Sequence, residues 1–478
     1  MSKSHFRVIH WFRRDLRLTD NPALHAASQA ADEVVPVYVI SPWRKNHHWT
    51  GAPRQEWLAG CLDSLEKNVA AVGGRLIFRR GEALKELEKL ISKTKAEAVF
   101  YNRDPDPHGI KTEAGLEKLA QRLGIRAHGF QNATLHERNE ILTAAGKPYR
   151  VFTPYRNNWS NLEKPAMVPT VTALVTPPGM ASEGAPSLRD WDLKPSGISM
   201  PEPGERAARQ RMKKALEEVL PHYAETRDTP LGPTTSRLSQ DLRMGTLSIR
   251  ELYHRASEAG RESDSSAVKK SVSTFISELA WRDFYMQILW HWPEVLEHEF
   301  DPQWRGLAWS YDEGDFGRWK EGLTGFPLVD AGMRELKATG LMHNRLRMVT
   351  AMFLTKDLRI DWRLGERWFS QALIDAEIAS NNGGWQWSAG TGADAAPYFR
   401  IQNPWSQTRT HDPAGAYIRH WVPELKNAPL AALLNPPAEG KSAAPGTDYP
   451  PPMVDHKEAR EATLEMFKKH RARQQGHH

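Results

Sequence analysis

The chain has 478 residues, enough for two or three domains and for large buried cores. Hydrophobic residues make up 40% and charged residues 26%, and no apolar run approaches the roughly 18 residues a membrane-spanning helix needs, so no membrane partner is expected. The single Cys61 excludes an intramolecular disulfide framework and any all-cysteine iron–sulfur or zinc site, and no metal is expected.

The start, MSKSHFRVIHWFRRDLR, has neither the apolar h-region nor the small-residue cleavage site of a secretory signal, so a cytoplasmic protein is expected. A formal net charge of +6 suits a polyanionic partner without requiring one. Tryptophan is unevenly spread: 12 of the 18 lie from Trp281 onward. A bulky helical core explains that most simply, and stacking or electron transfer are the rarer uses.

In chain order, residues 6–12, 33–40, 75–81, 96–102 and 125–130 read as buried strands. Stretches near 21–31, 54–72, 82–94 and 110–123 carry helical spacing between them. This alternation predicts an α/β domain over 1–130 with a doubly wound parallel sheet, which binds ligands beyond the carboxyl ends of its strands. No G-x-G-x-x-G follows the first strand. Residues 131–205 include a Pro-, Gly- and Ser-rich run and read as a linker draped over the surface. From 206 to 478 the periodicity is helical, as in 207–220, 269–289, 328–339 and 342–358, so an all-α domain is expected. The basic end KKHRARQQGHH reads as a solvated, partly frayed tail.

Within the helical part, SELAWRDFY puts Glu278, Trp281 and Arg282 on one helix face at i, i+3 and i+4, and MHNRLRM does the same for Asn344, Arg347 and Met348. Each set read alone is as well explained by a packed amphipathic helix. NNGGWQW (381–387) is different. Its propensities suit neither helix nor strand, while its glycines permit close approach and its tryptophans offer stacking surfaces, which suggests a site.

WFRRDLRLTDNPAL (11–24), TSRLS (235–239), ELAWRDFY (278–285), TGFPLVDAGMRELKATGLMHNRLRM (324–348), DLRIDWRLGERWF (357–369), NNGGWQW and PYFRIQNP (397–404) together closely resemble the photolyase/cryptochrome family. The resemblance runs from about residue 6 to 460, and is nearest to class I cyclobutane pyrimidine dimer photolyases. It implies an antenna domain followed by an all-α FAD-binding domain, and light-driven repair of UV-damaged DNA by a monomer. Tyr223, Thr235, Ser236, Arg237, Leu238, Ser239, Phe275, Glu278, Arg347, Asp375, Glu377 and Asn381 are then the expected FAD contacts. Arg347 is the expected partner of Asp375, and the family usually has Asp where Glu377 stands. Glu278 and Asn344 are expected at the dimer's carbonyls and Asn381 at flavin N5.

Trp281 and Trp387 are expected to clamp a flipped dimer, with Met348 lining the pocket, and Arg227, Arg282, Arg345, Arg400 and Gln407 to meet DNA phosphates. Trp385, Trp362 and Trp309 match the family's electron chain to oxidised flavin. Arg54, Asp104 and Asp106 resemble deazaflavin-antenna positions, whereas His108 and Gly109 stand where a methenyltetrahydrofolate pattern wants Asn and Glu, so either antenna or none is compatible. The alternative within the family is a cryptochrome-type blue-light photoreceptor, against which Asn381 and the Glu278/Asn344 pair stand. A (6-4) photolyase would place histidines near 344 and 348, and its bacterial branch needs four cysteines.

Overall fold

The computed structural model describes residues 3–42, 45 and 47–475. The chain divides into two compact units: Met1–Pro221 with Ser236–Pro293 and Ile374–Ala379, and His222–Thr235 with Glu294–Leu373 and Ser380–His478. Among the described residues no helix is long and apolar enough to cross a membrane.

The first unit opens with five strands, β1 (His5–Phe12), β2 (Ala31–Ile40), β3 (Ile77–Arg80), β4 (Ala98–Asn102) and β5 (Arg126–Phe130). Helices α1 (Pro22–Ala30), α2 (Ala52–Ala71), α3 (Ala83–Thr94) and α4 (Pro107–Arg122) connect them in turn. All pairings are parallel, in the order β3-β2-β1-β4-β5, so the doubly wound sheet predicted from sequence is present. Residues of one parity, Ile9, Trp11, Val35, Val37, Ile77, Val99 and Tyr101, pack with Leu87, Leu90, Leu116 and Leu119 of α3 and α4. The other parity takes Val8, Phe12 and Val34, and α1 packs on β1, β2 and β4. Both faces are covered, which is why the strands read as continuous apolar runs. Asn21 and Asp106 cap α1 and α4, each followed by proline at the first helical position.

Strand order reverses at β1, and the crevice between the carboxyl ends of β1 and β4 is where such sheets bind ligands. Here it is filled by the protein's own charges. Arg14 pairs with Asp104 at 2.9 Å, Arg13 pairs with Glu113, and Asp15 accepts from Arg13 N at 2.6 Å and Asn102 Nδ2 at 2.7 Å. Burial would raise the Asp104 carboxyl, but the Arg14 and Arg13 charges outweigh it and hold it well below the usual range.

The Pro/Gly/Ser-rich stretch crosses the surface with few regular elements, yet it is pinned. Val34 N donates to Val175 O at 2.8 Å, Glu183 N to Phe78 O at 3.0 Å, and Trp191 is buried. The later chain is helical as predicted, with two π-type turns, Ala215–Val219 and Phe353–Asp357, extending helices that end at Lys214 and Met352. The basic tail differs from expectation. Helix His456–Gln475 runs through it, with Phe467 in a cluster with Trp304 and Leu307, and His470 Nε2 3.0 Å from Gln303 O. Buried side chains on one face order a segment whose charge alone suggested fraying; residues 476–478 lie outside the described set.

The turn after β1 depends on one glycine. Gly245 has φ +67° and follows helix Ser239–Met244, and an added Cβ would fall on the Arg14 carbonyl. Gly245→Ala should therefore cost more than the ~1–2 kcal/mol of a left-handed alanine. Gly124→Ala, at φ +68° with open space around it, should cost about that much and no more. Paired urea melts measure the difference, and equal losses would contradict the packing argument.

Candidate active site

In the first unit the 26-residue helix Ser266–His291 carries Phe275, Glu278, Trp281 and Arg282. Ser265 caps it by accepting from Val268 N, and no proline or glycine interrupts it. Phe275 is buried and Glu278 half-buried. Trp281 stacks on Phe152 with ring centroids 3.6 Å apart and planes 10° from parallel, so one indole face is already covered. Phe152 was not singled out from sequence, because nothing local ties it to a residue 129 positions away.

Arg282, expected at a DNA phosphate, has protein partners of its own. Its guanidinium donates to the Ala133 carbonyl and lies 3.7 Å from the Glu377 carboxylate, with the side chain only 13% exposed. Burial lowers the pKa of that guanidinium.

The short segment Ile374–Ala379 is anchored from three sides of the same unit. Ser239 Oγ donates to Asp375 Oδ2 at 2.6 Å, and Arg243 Nε to Ala376 O at 2.8 Å. The Glu377 carboxylate accepts from Arg14, which follows β1. Expected as a flavin contact, Glu377 is held by Arg14 and Arg282, and the arginine charges pull it below the usual carboxylate range against the opposing effect of burial. The extra methylene relative to Asp accompanies that arginine-facing role. In TSRLS, Arg237 has φ +50° and its carbonyl accepts from Gln240 Nε2 at 2.6 Å, while Leu238 is buried and Ser239 starts the helix Ser239–Met244.

NNGGWQW differs most from its sequence reading: it is helical, within Ile378–Ala389. Tertiary hydrogen bonds replace the missing propensity. Asn382 Nδ2 donates to Val295 O and Glu366 Oε1 at 2.9 and 3.0 Å. Gln386 accepts from Phe300 N at 2.8 Å. Lys356 Nζ donates to Ala389 O at 2.6 Å at the helix C-terminus, where a cation is favoured, although burial pulls Lys356 down to about 7.

Asn381 Nδ2 is held by Glu366 O and Ser370 Oγ at 3.0 and 2.9 Å, so Oδ1 is the atom it offers. Beneath it, burial pushes the Glu366 carboxyl up to about 8.

Helix Trp362–Ala372 of the second unit carries Trp362, fully buried, and Gly365, at which any Cβ would strike the Trp385 ring. Trp385 packs edge-on to Phe369 and Trp319 at 5.0 and 6.0 Å. Trp309 is half-buried, 6.4 Å from the Phe467 ring. Exposure therefore rises from Trp385 and Trp362 to Trp309, and Trp387 is half-buried. Helix Asn344–Met352 presents exposed Asn344, whose amide lies 3.9 Å from Met348 Sδ. Arg345 pairs with Asp228 at 2.7 Å, and Arg347 Nε donates to Met342 O at 2.9 Å. Tyr223 is buried with the Arg227 guanidinium 5.5 Å over its ring, Arg400 is exposed, and Gln407 is half-buried on helix Pro404–His411.

The expected antenna residues have protein partners. Asp104 is held by Arg14, Asp106 caps α4 through Gly109 N at 2.6 Å, and Arg54 donates to Trp49 O at 2.7 Å. Burial and the Asp104 charge push Asp106 up to about 6.

The donor set fits a flavin dinucleotide. Two hydroxyls, a guanidinium and a left-handed turn ahead of a helix suit a pyrophosphate. In the first unit the buried Asp375 carboxylate suits a group with exchangeable N–H atoms, and in the second Asn381 offers its carbonyl oxygen to another.

Residues 8–172 match the family described as DNA photolyase, and residues 275–469 match the FAD binding domain of DNA photolyase. FAD is accordingly the cofactor. The deoxyribodipyrimidine photo-lyase of Agrobacterium fabrum is 37% identical over 473 residues, 96% of this chain and 97% of that one. That of Synechococcus is 36% identical over 463 residues, 94% of each chain.

Among solved structures, a bacterial class III photolyase from Agrobacterium tumefaciens superposes with TM-score 0.90 at 37% identity, covering 99% of both chains. A Synechocystis cryptochrome gives 0.87 at 30% identity, covering 98% of this chain and 100% of that one. An archaeal photolyase from Sulfolobus tokodaii with two FAD molecules gives 0.83 at 30%, covering 97% of this chain and 100% of that one. With likeness of this extent along nearly its whole length, the chain belongs to the DNA photolyase family.

Proposed function

We propose that this protein is a deoxyribodipyrimidine photo-lyase, repairing cyclobutane pyrimidine dimers in UV-damaged DNA under light. The observation that carries the reading is the end-to-end similarity, at 36–37% identity, to enzymes of that name. The cryptochrome neighbour is more distant, at 30% identity. When bound and reduced, FAD supplies the light-driven electron that opens the cyclobutane ring, and the protein supplies position and electrostatics.

Thr235, Ser236, Arg237, Leu238 and Ser239, with Tyr223, would hold the phosphates and ribitol, and Phe275, Arg347 and Asp375 the ring system. Asn381 would offer Oδ1 to the N–H that a reduced flavin carries at N5. Glu278 and Asn344 would meet the dimer's carbonyl oxygens, where negative charge develops once the electron arrives.

Trp281, stacked on Phe152, and Trp387 would clamp the flipped dimer, with Met348 beside it. Flipping a dimer is favoured over flipping intact bases because its stacking is already poor. The exposed Arg400, with Arg227, Arg345 and Gln407, would contact phosphates, positioning the duplex without reading sequence. Arg282, held by Ala133 and Glu377, and Arg345, held by Asp228, would each trade or share a protein partner with a phosphate. We read the protein as a monomer.

Binding separates these roles. Arg400→Ala should weaken damaged and undamaged duplex alike and flatten the salt dependence. Trp281→Ala should remove most of the preference for damage, about 1–3 kcal/mol by analogy with stacked bases. Titrations of dimer-containing and intact duplex at two salt concentrations read both effects. Undiminished discrimination in Trp281→Ala would remove the clamp assignment.

A further inference from the structure

Trp362 sits between two opposite charges. Its Nε1 donates to Glu299 Oε1 at 3.4 Å, while the Arg363 guanidinium carbon lies 4.6 Å over its ring. Arg363 Nη2 in turn reaches Glu299 Oε2 at 2.9 Å, and Arg305 Nε holds the Glu299 main-chain carbonyl at 3.1 Å. Trp362 and Glu299 are buried, at 0% and 2% exposure, so the Glu299 charge is little screened by water, whereas the Arg363 side chain is 27% exposed and is also paired with Asp361 at 3.1 Å. Burial would push the Glu299 carboxyl up, but the Arg363 hydrogen bond and charge outweigh it, and the group stays an anion. Trp309 has no such neighbour: its indole nitrogen is buried without a hydrogen-bond partner among the described residues. Trp385 packs among aromatic rings.

We propose that Glu299 is a tuning residue of the electron chain, its carboxylate offsetting Arg363 so that Trp362 can carry the positive charge left when it gives up an electron. The inference rests on the reading of Trp385, Trp362 and Trp309 as that chain. One electron leaves Trp385 for the light-excited oxidised flavin, and Trp362 then refills Trp385. The charge now on Trp362 makes its Nε1 proton strongly acidic, and Glu299 Oε1 is the acceptor in line with it. The proton shifts toward that oxygen and returns when Trp309 supplies its electron, and an added thiol reductant refills Trp309. Without Glu299 the hole would lose the carboxylate hydrogen-bonded to Nε1, leaving only Asp361, 3.1 Å from Arg363 and 30% exposed, to offset that cation, and hole transfer from Trp385 would run uphill.

Four variants, Glu299→Gln, Arg363→Gln, their combination and Trp362→Phe, are compared for light-driven flavin reduction with thiol and for transient tryptophan-radical absorption. Bound FAD and circular dichroism are measured on each. Glu299→Gln keeps an acceptor oxygen but loses the charge, and should slow photoreduction by about tenfold or more with a smaller radical yield. The double variant, with neither charge, should recover to within about threefold of wild type, because both fields are removed together. Arg363→Gln alone should be at least as fast as wild type.

A purely structural role predicts the reverse, with the double variant no better than the worse single one, and that result overturns the inference. So does a slowed Arg363→Gln, which decides the matter even if Glu299→Gln does not fold. If Trp362→Phe stalls while Glu299→Gln photoreduces within about twofold of wild type, this inference alone fails. If Trp362→Phe photoreduces normally, the chain itself is wrong and the inference goes with it.

Discussion

Trp362→Phe should stop light-driven reduction of the flavin while leaving dimer repair by chemically pre-reduced protein near the wild-type yield. Trp362 is fully buried on helix Trp362–Ala372, so phenylalanine keeps an aromatic ring in the same packing environment. A phenyl ring is far harder to oxidise than an indole. Each ~1.4 kcal/mol added to a barrier slows a step about tenfold, so photoreduction should fall well beyond that. Repair does not require the chain once the flavin is reduced.

Glu278→Ala should behave oppositely, photoreducing normally and repairing poorly. Losing one charge-stabilising contact costs about 2.7–4 kcal/mol in hydrolases, and a smaller loss is expected where ring opening competes only with back electron transfer. If both variants lost FAD and failed both assays together, these residues would merely pack their domains. Bound flavin measured beside each assay decides between the two.

The second large effect is on stability. Asp20 is fully buried and accepts from the Ser248 hydroxyl, from Val168 N at 2.8 Å and from Arg250 Nε at 3.0 Å. Its main-chain carbonyl accepts from Arg17 and Arg250 at 2.7 and 3.0 Å, and both guanidiniums are buried. Asp20→Asn preserves shape and tolerates the left-handed φ of +48°, but leaves buried Arg250 without the carboxylate it pairs with and removes one of the acidic neighbours of buried Arg17. Removing one partner of a buried pair costs about 3–5 kcal/mol. Asp63→Asn, which breaks the exposed 2.6 Å pair with Lys67, should change stability by under about 0.5 kcal/mol. Urea denaturation followed by tryptophan fluorescence compares the two, and similar losses would mean the buried cluster contributes nothing special.

The α/β domain was legible in the sequence because its signal is local. Runs such as VIHWF and VVPVYVI are buried on both faces, and helical spacing fills the stretches between the strands. The helical pattern around Glu278, Trp281 and Asn344 was legible for the same reason.

What the sequence hid is non-local. Arg14 and Glu377 meet across 363 positions, so Glu377 could be placed near a flavin by resemblance but not beside an arginine by pattern. Arg282 gave no sign in the sequence that it would also reach the Ala133 carbonyl, 149 positions away. NNGGWQW was read against helix propensity, and amide hydrogen bonds to Val295 and Phe300 overrode that propensity. Phe152 under Trp281 and Glu299 beside Trp362 belong to the same class: partners supplied by the fold, with no spacing rule to find them.

The central claim is decided by one assay: FAD-loaded, reduced protein with duplex containing a single thymine dimer, in near-UV or blue light and in darkness, scored by restoration of intact thymines. The account predicts restoration in light, none in darkness, and none of a (6-4) lesion in a parallel duplex. Restoration in darkness, or repair of the (6-4) lesion alone, would contradict it.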